Sequence, residues 1–283
     1  MAGTGRLANG NFIMNYGGVA ILELDAGGRV IADRRQVPVQ HERAHHDAIV
    51  TPQNTVLFIA LDLRDHDGRS IAGEAIWEWD PRTDAVHKRW SSWNEMSPDV
   101  DWGAVSRDTD WLHANSIGFG PSGNVLVSFH FLNQVVSIAP GYGAFQWRLG
   151  GVRATIEAPD PPFSGQHTAR IVGPGRLLLF DNGFEREVER YSRAVEYALV
   201  GDGAEVLWEW RPERDNWARV ISGAMRMSNG HTLVGFGTLP DAGLGTTGPI
   251  EVYEVDRGGG VRWHLEVAGG VRSMYRATPL DRL

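Results

Sequence analysis

A chain of 283 residues with 42% hydrophobic and 22% charged residues can bury a large core, which excludes a disordered polypeptide. A formal charge of −8, with no Lys/Arg cluster interleaved with aromatics, argues against nucleic acid as a partner and for a small substrate. The lack of cysteine excludes disulfides, thiolate metal sites and a cysteine nucleophile, and no apolar run nears the roughly 20 residues that span a bilayer.

The opening Met1-Ala2-Gly3-Thr4-Gly5-Arg6 lacks the apolar core of a signal peptide. As written the chain reads as cytoplasmic with no membrane partner, or as exported if an upstream signal has been removed; oligomeric state is left open. The first repeating unit, residues 6–35, carries the turn and strand Ala8-Asn9-Gly10-Asn11-Phe12-Ile13-Met14 and is expected to lack an opening strand.

The second unit opens at His46-Asp47-Ala48 and continues through Thr51-Pro52-Gln53-Asn54-Thr55-Val56-Leu57-Phe58 to an outer element, Ile76-Trp77-Glu78-Trp79. The polar stretch 91–110 reads as a loop insertion, with a sixth, degenerate blade in 80–112 as the alternative. His113-Ala114-Asn115 opens the third unit, with Pro121-Ser122-Gly123-Asn124-Val125-Leu126-Val127 and Phe145-Gln146-Trp147-Arg148 after it. His167-Thr168-Ala169 opens the fourth, which ends at Val206-Leu207-Trp208-Glu209-Trp210. Ser222-Gly223-Ala224 opens the fifth, followed by Ser228-Asn229-Gly230-His231-Thr232-Leu233-Val234 and Val261-Arg262-Trp263-His264. Finally Tyr275-Arg276-Ala277-Thr278-Pro279-Leu280 looks like an opening strand without a blade.

The openings at 46, 113, 167, 222 and 275 are spaced by 67, 54, 55 and 53 residues. Period-two alternation runs throughout, and no helical stripe persists for three turns. The expectation is an all-β chain forming a single β-propeller domain over 1–283. It has five blades, six if the degenerate one is present, and its ring is closed by pairing of the N- and C-terminal segments.

In such a fold each opening strand lines the channel, so His46, His113 and His167 are brought to one place. Several imidazoles aimed at a common point suit proton transfer or metal ligation better than structural filling. Asn115 is expected to share the face of His113 by alternation, Ser222 and Tyr275 to fill the remaining ring positions, and His130 to approach from the next strand. By the same alternation His45 should point away from His46.

The ordered set His45-His46-Asp47, Asp110-Trp111-Leu112-His113-Ala114-Asn115, Leu132-Asn133-Gln134-Val135, Trp147-Arg148-Leu149-Gly150-Gly151, Gln166-His167-Thr168 and Phe180-Asp181-Asn182-Gly183 resembles the PAPS-independent arylsulfotransferases. The resemblance covers most of the chain and implies a propeller, usually of six blades. It also implies His167 as nucleophile with His113, Asn115 and His46 beside it, and no cofactor. Where that family has an arginine after the His-x-Asn motif, this chain has His130, which offers fewer donors to an oxyanion.

The implied reaction is sulfuryl transfer from an aryl sulfate to a phenol, on a small aromatic substrate bound by Asn115, His130, Tyr275 and Ser222. The alternatives are a divalent metal held by His46, His113 and His167 in a hydrolase, lyase or oxygenase, and a cofactor-free acid–base enzyme acting on an aromatic substrate.

Overall fold

The structure, a computed structural model, describes residues 2–16, 20–34, 43–104, 106–107, 109–214, 216–237, 249–267 and 273–279. The chain is all-β, and its sheets are β-propeller blades: five antiparallel four-stranded meanders. The first comprises β1 (Ala2–Arg6), β2 (Phe12–Tyr16), β3 (Ala20–Leu24) and β4 (Val30–Arg34); the second β5 (Ala44–Val50), β6 (Val56–His66), β7 (Arg69–Asp80) and β8 (Ala85–Ser91). The third is β9 (Ala114–Phe119), β10 (Val125–Phe129), β11 (Gln134–Ile138) and β12 (Phe145–Leu149). The fourth is β13 (His167–Gly173), β14 (Arg176–Asp181), β15 (Arg193–Val200) and β16 (Gly203–Trp210), and the fifth β17 (Gly223–Arg226), β18 (Thr232–Phe236), β19 (Ile250–Val255) and β20 (Val261–Val267). Between β8 and β9 lie a 3-10 turn (Ser92–Asn94) and the single-turn helix α1 (Pro98–Asp101), so the described residues of 80–112 form no sixth blade.

The turn between the first two strands is built alike in four sheets. Leu7, Thr51, Gly120 and Met227 each donate their N–H to the carbonyl four residues on, at 2.8–2.9 Å. The residue before that acceptor has positive φ and is Gly10, Asn54, Gly123 or Gly230. Glycine and asparagine are the residues that tolerate this left-handed conformation, which is why Asn-Gly pairs punctuate the repeat.

Two sequence expectations change. The first sheet has its own opening strand, since β1 pairs Gly5 with Ile13 and Arg6 with Phe12, whereas 273–279 forms no strand and Leu280 lies outside the described residues. Ring closure by a C-terminal strand is therefore not how the first sheet is completed. The glycine-rich Ala2–Arg6 segment shows no apolar alternation, so periodicity passes over it. Gly5 is needed bare because a β-carbon there would fall 2.7 Å from Val50 Cγ2 of β5. In addition, Ile76–Trp79 belongs to a third strand rather than an outer one. The extra length of the second unit comes from the long β6–β7 hairpin as well as from the insertion.

The chain divides into two compact units, residues 1–132 with 136–146, and residues 133–135 with 147–283. Within the first, β1, β5 and β9 lie side by side. Strict alternation splits β6 between two cores. Val56 and Phe58 join Ile13, Ile21, Trp77 and Trp79 against the first sheet, while Leu57 and Ile59 join Trp111, Ile117, Val127 and Phe129 against the third. In the second unit Leu178 and Phe180 of β14 pack on Val234 and Phe236 of β18, with Trp210 and Tyr253.

Candidate active site

Regular pairing breaks where the opening strands carry their motifs. In β5, His45 lies opposite Ile59 but Ala48 opposite Phe58, so His46 and Asp47 are both extra. In β9, Ala114 faces Phe129 and Ser116 faces Ser128, leaving Asn115 extra; β13 slips between His167 and Arg170. A bulge of this kind re-aims side chains and cancels the alternation on either side of it. His46 and His113 both adopt φ 54°, Thr168 58° and Ser222 81°, a conformation costing on the order of 1–3 kcal/mol for such residues. The repeat register thus holds for His46, His113 and Ser222, while His167 stands one residue before its left-handed neighbour. Buried Asp47 ties β5 to β9 by accepting the Ile117 N–H at 3.1 Å.

Because of its bulge, the first unit gathers a histidine cluster that alternation does not foresee. His45 does not turn from His46: their Nδ1 atoms are 2.7 Å apart, and His45 Nε2 lies 2.8 Å from Glu74 Oε2. Glu74 sits on β7 and is buried, and its other oxygen accepts the Ala114 N–H at 2.8 Å. Burial opposes a charge on His45 most strongly, yet the Glu74 carboxylate, with Asp110 farther off, outweighs it and raises its pKa above the ordinary histidine value.

The His46 and His113 rings meet edge to face at 4.7 Å. His113 Nδ1 is 2.5 Å from Asp110 Oδ2, and Asp110 Oδ1 accepts the His113 backbone N–H at 3.1 Å. An ionised Asp110 makes that nitrogen the protonated one and leaves His113 Nε2 as the basic atom. His130, the first residue beyond β10, is buried with its ring 5.6 Å from His113, and Phe131 tilts against His113 at 4.6 Å.

In the second unit His167 is buried at the start of β13, and its Nδ1 faces two oxygens: Asn182 Oδ1 at 2.7 Å and Gly165 O at 3.1 Å. Asn182 cannot be turned around, because its amide nitrogen donates to Ala218 O at 2.6 Å and Ile221 O at 2.8 Å. With only acceptors before it, Nδ1 must carry a proton, so in the neutral imidazole the lone pair is on Nε2. Tyr275 presents its ring 6.0 Å from that of His167.

The Ser222 hydroxyl is engaged by Gly237, accepting its N–H at 2.9 Å, and the Ser222 N–H donates to Tyr275 O at 2.7 Å. The segment bearing Tyr275 lies so close to the fifth sheet that a β-carbon on Gly237 would fall 1.9 Å from Met274 O.

Of the residues singled out in the sequence, the structure brings His46, His113 and His130 together in the first unit, where Asn115 is the buried extra residue of the β9 bulge. It sets Tyr275 beside His167 in the second. Sequence reasoning missed Glu74, His45, Asp110 and Asn182 as partners. Asp110 and Asn182 stood inside the quoted motifs; Glu74 had no signal, being a strand residue like any other. Among the described residues, the one trio of His, Asp or Glu side chains with ligand atoms within 4.8 Å of one another is His66, Asp67 and Asp99, at the surface.

A family profile described as arylsulfotransferase (ASST) matches residues 2–276. The arylsulfate sulfotransferase AssT of Escherichia coli O6:H1 is 25% identical over 313 aligned residues, covering 83% of this chain and 52% of that protein. The arylsulfate sulfotransferase AssT of Lelliottia amnigena is 22% identical over 307 residues, covering 82% and 50%. The chain thus spans about half the length of these curated relatives. Among solved structures, a protein of unknown function from Bacteroides caccae aligns with a TM-score of 0.59 at 13% identity, over 94% of this chain and 81% of that one, a likeness of fold.

Proposed function

The chain belongs to the arylsulfotransferase family, and on that premise we propose that it moves a sulfuryl group from an aryl sulfate to a phenol through a covalent adduct on His167. The observation that carries this reading is the locked tautomer of His167. A nucleophilic imidazole needs its lone pair on the attacking nitrogen, and Asn182 with Gly165 keep the proton on the other one.

The Nε2 lone pair attacks sulfur, forming an N–S bond as the S–O bond to the aryl group breaks and its electrons leave on the phenolate oxygen. The ring then carries positive charge, which Asn182 Oδ1 stabilises through the Nδ1–H. The phenolate takes a proton from a general acid, help typically worth ~10²–10⁴-fold. In the second half an acceptor phenol gives up its proton and attacks sulfur, and the N–S electron pair returns to Nε2. Tyr275, whose ring lies 6.0 Å from that of His167, offers an aromatic face to the aryl ring, and no cofactor takes part.

The test is rapid mixing with 4-nitrophenyl sulfate, followed by mass spectrometry of the His167 peptide. A burst of nitrophenolate and a sulfo adduct on that peptide are expected, with discharge on adding phenol. Steady release with no adduct, or no release, overturns the reading.

A further inference from the structure

We propose that Arg176, Arg226 and Arg257 form a second binding site, which takes a divalent tetrahedral oxyanion, sulfate or phosphate, at the end of the fourth and fifth sheets remote from His167. The inference concerns the second unit alone and does not depend on the sulfuryl-transfer reading.

The three arginines come from separate elements. Arg176 opens β14, Arg226 closes β17, and Arg257 lies in the turn between β19 and β20. They converge on one carboxylate, Glu196 of β15, which is fully buried. Arg226 Nη2 donates to Glu196 Oε2 at 2.5 Å and Arg257 Nη1 to the same oxygen at 2.8 Å, while Arg176 Nη2 pairs with Oε1. Strand direction places this cluster away from the nucleophile: β13 runs from His167 to Gly173, and Gly173 is the residue opposite Arg176. That length of extended chain separates its ends by about 20 Å.

Charge at the cluster does not balance. Three guanidinium groups face one carboxylate, leaving the double positive charge that a dianion neutralises. The acidic residues nearest to Arg257 in sequence are engaged elsewhere, Glu254 with His231 at 2.6 Å and Asp256 with Arg262 at 2.5 Å. Burial first, then the charge of Arg257, holds the Arg226 pKa below the ordinary arginine value in spite of Glu196, as a positive surplus requires. Donors are in surplus too, since Arg176 Nε and Arg226 Nε are enclosed and meet no acceptor among the described residues.

The same contacts hold the site in shape before any ligand arrives. Arg226, 10% exposed, is fixed by Glu196, by Gly230 O at 3.0 Å and by the Trp208 ring at 5.4 Å, and it acts on the anion from beneath. Arg176 and Arg257 are 36% and 45% exposed, so each grips Glu196 with one terminal nitrogen and keeps part of its fork in solvent. A tetrahedral oxyanion can accept from both forks at once.

The test is thermal melting and isothermal titration calorimetry of the full chain with sodium sulfate and with sodium phosphate, at ionic strength held constant with sodium chloride. Saturable binding with a matching rise in melting temperature is expected, because a ligand taken only by the folded state stabilises it. Arg257→Gln and Arg176→Gln should each weaken binding about 10-fold, the scale of one charge-assisted hydrogen bond, and Glu196→Gln should tighten it. Arg29→Gln removes the same charge from the first sheet, where Arg29 pairs with Asp25, and should leave the affinity as it is. Phosphate gains its second charge near neutral pH whereas sulfate is divalent throughout, so phosphate binding should strengthen between about pH 6 and about pH 8 and sulfate binding should not. At the upper pH, where both are divalent, the tighter of the two is the anion the site selects.

Sulfate and phosphate no more effective than chloride, or an undiminished response in Arg257→Gln and Arg176→Gln, overturns the site and leaves the cluster as an ion network joining β14, β15 and β17. Where Glu196→Gln proves unstable, the two arginine variants carry the test, since both side chains are partly exposed.

Discussion

Asn182 dictates which nitrogen of His167 is basic: its carbonyl oxygen takes the Nδ1 proton's hydrogen bond at 2.7 Å, while its amide is anchored to two backbone carbonyls. Asn182→Leu removes the lock and should lower kcat on the order of 10²–10⁴-fold, the scale seen when a catalytic imidazole loses its orienting partner. Asn182→Asp retains an acceptor for Nδ1 but opposes two carbonyls with a carboxylate. It should therefore cost more stability than activity, about 1–3 kcal/mol for each orphaned carbonyl. Urea denaturation beside single-turnover kinetics separates the two effects.

Asp110 performs the same task for His113 with a charge. Asp110→Ala is expected to lower kcat about 10²-fold, on the general base scale, because His113 Nε2 loses the partner that keeps it the basic atom. Asp110→Asn should recover part of the loss by restoring a hydrogen bond to Nδ1. Steady-state kcat with phenyl sulfate as donor and a phenol acceptor gives both numbers.

Gly237→Ala should push Met274 and with it Tyr275 from their places, since no room exists for the added methyl group. The expected outcome is a stability loss of about 1–3 kcal/mol with a raised KM for the acceptor phenol. Thermal melting and acceptor titration report each in turn.

Glu196 is a fully buried carboxylate on β15 that pairs with Arg226 at 2.5 Å and Arg257 at 2.8 Å, and also with Arg176. Glu196→Gln leaves three cations around a neutral amide, and removing one partner of a buried ion pair typically costs about 3–5 kcal/mol. Denaturant midpoints should fall accordingly, while the adduct yield per folded molecule stays constant.

Chelation separates histidine chemistry from metal chemistry. Phenol release is expected to survive extended dialysis against EDTA unchanged. Loss of activity that zinc restores would favour the divalent-metal alternative over sulfuryl transfer.

The blades were legible because their signal is local. Turn residues such as Gly10, Gly123 and Gly230 and the alternation in Val56–Ile59 act over a few residues, and each maps onto a strand or turn. The first strand escaped for lack of any apolar pattern in Ala2–Arg6; its partner is chosen by β2, not by its own side chains. At the site, residue identity was legible and orientation was not. Alternation sent His45 away from His46 and Asn115 onto the face of His113, but a bulge inserts residues without leaving a mark in composition. Glu74 was invisible for another reason: it meets His45 across 29 positions of sequence, through pairing that only the folded sheet defines.

The left-handed backbone at His46 and His113 also narrows what can replace them. At φ 54° a β-branched residue meets its own carbonyl, whereas glycine and asparagine settle without strain. Drift at these two positions is thus channelled toward Gly and Asn once the imidazole is no longer selected. A descendant that had abandoned the chemistry would keep its blades and show those two letters in the histidines' place.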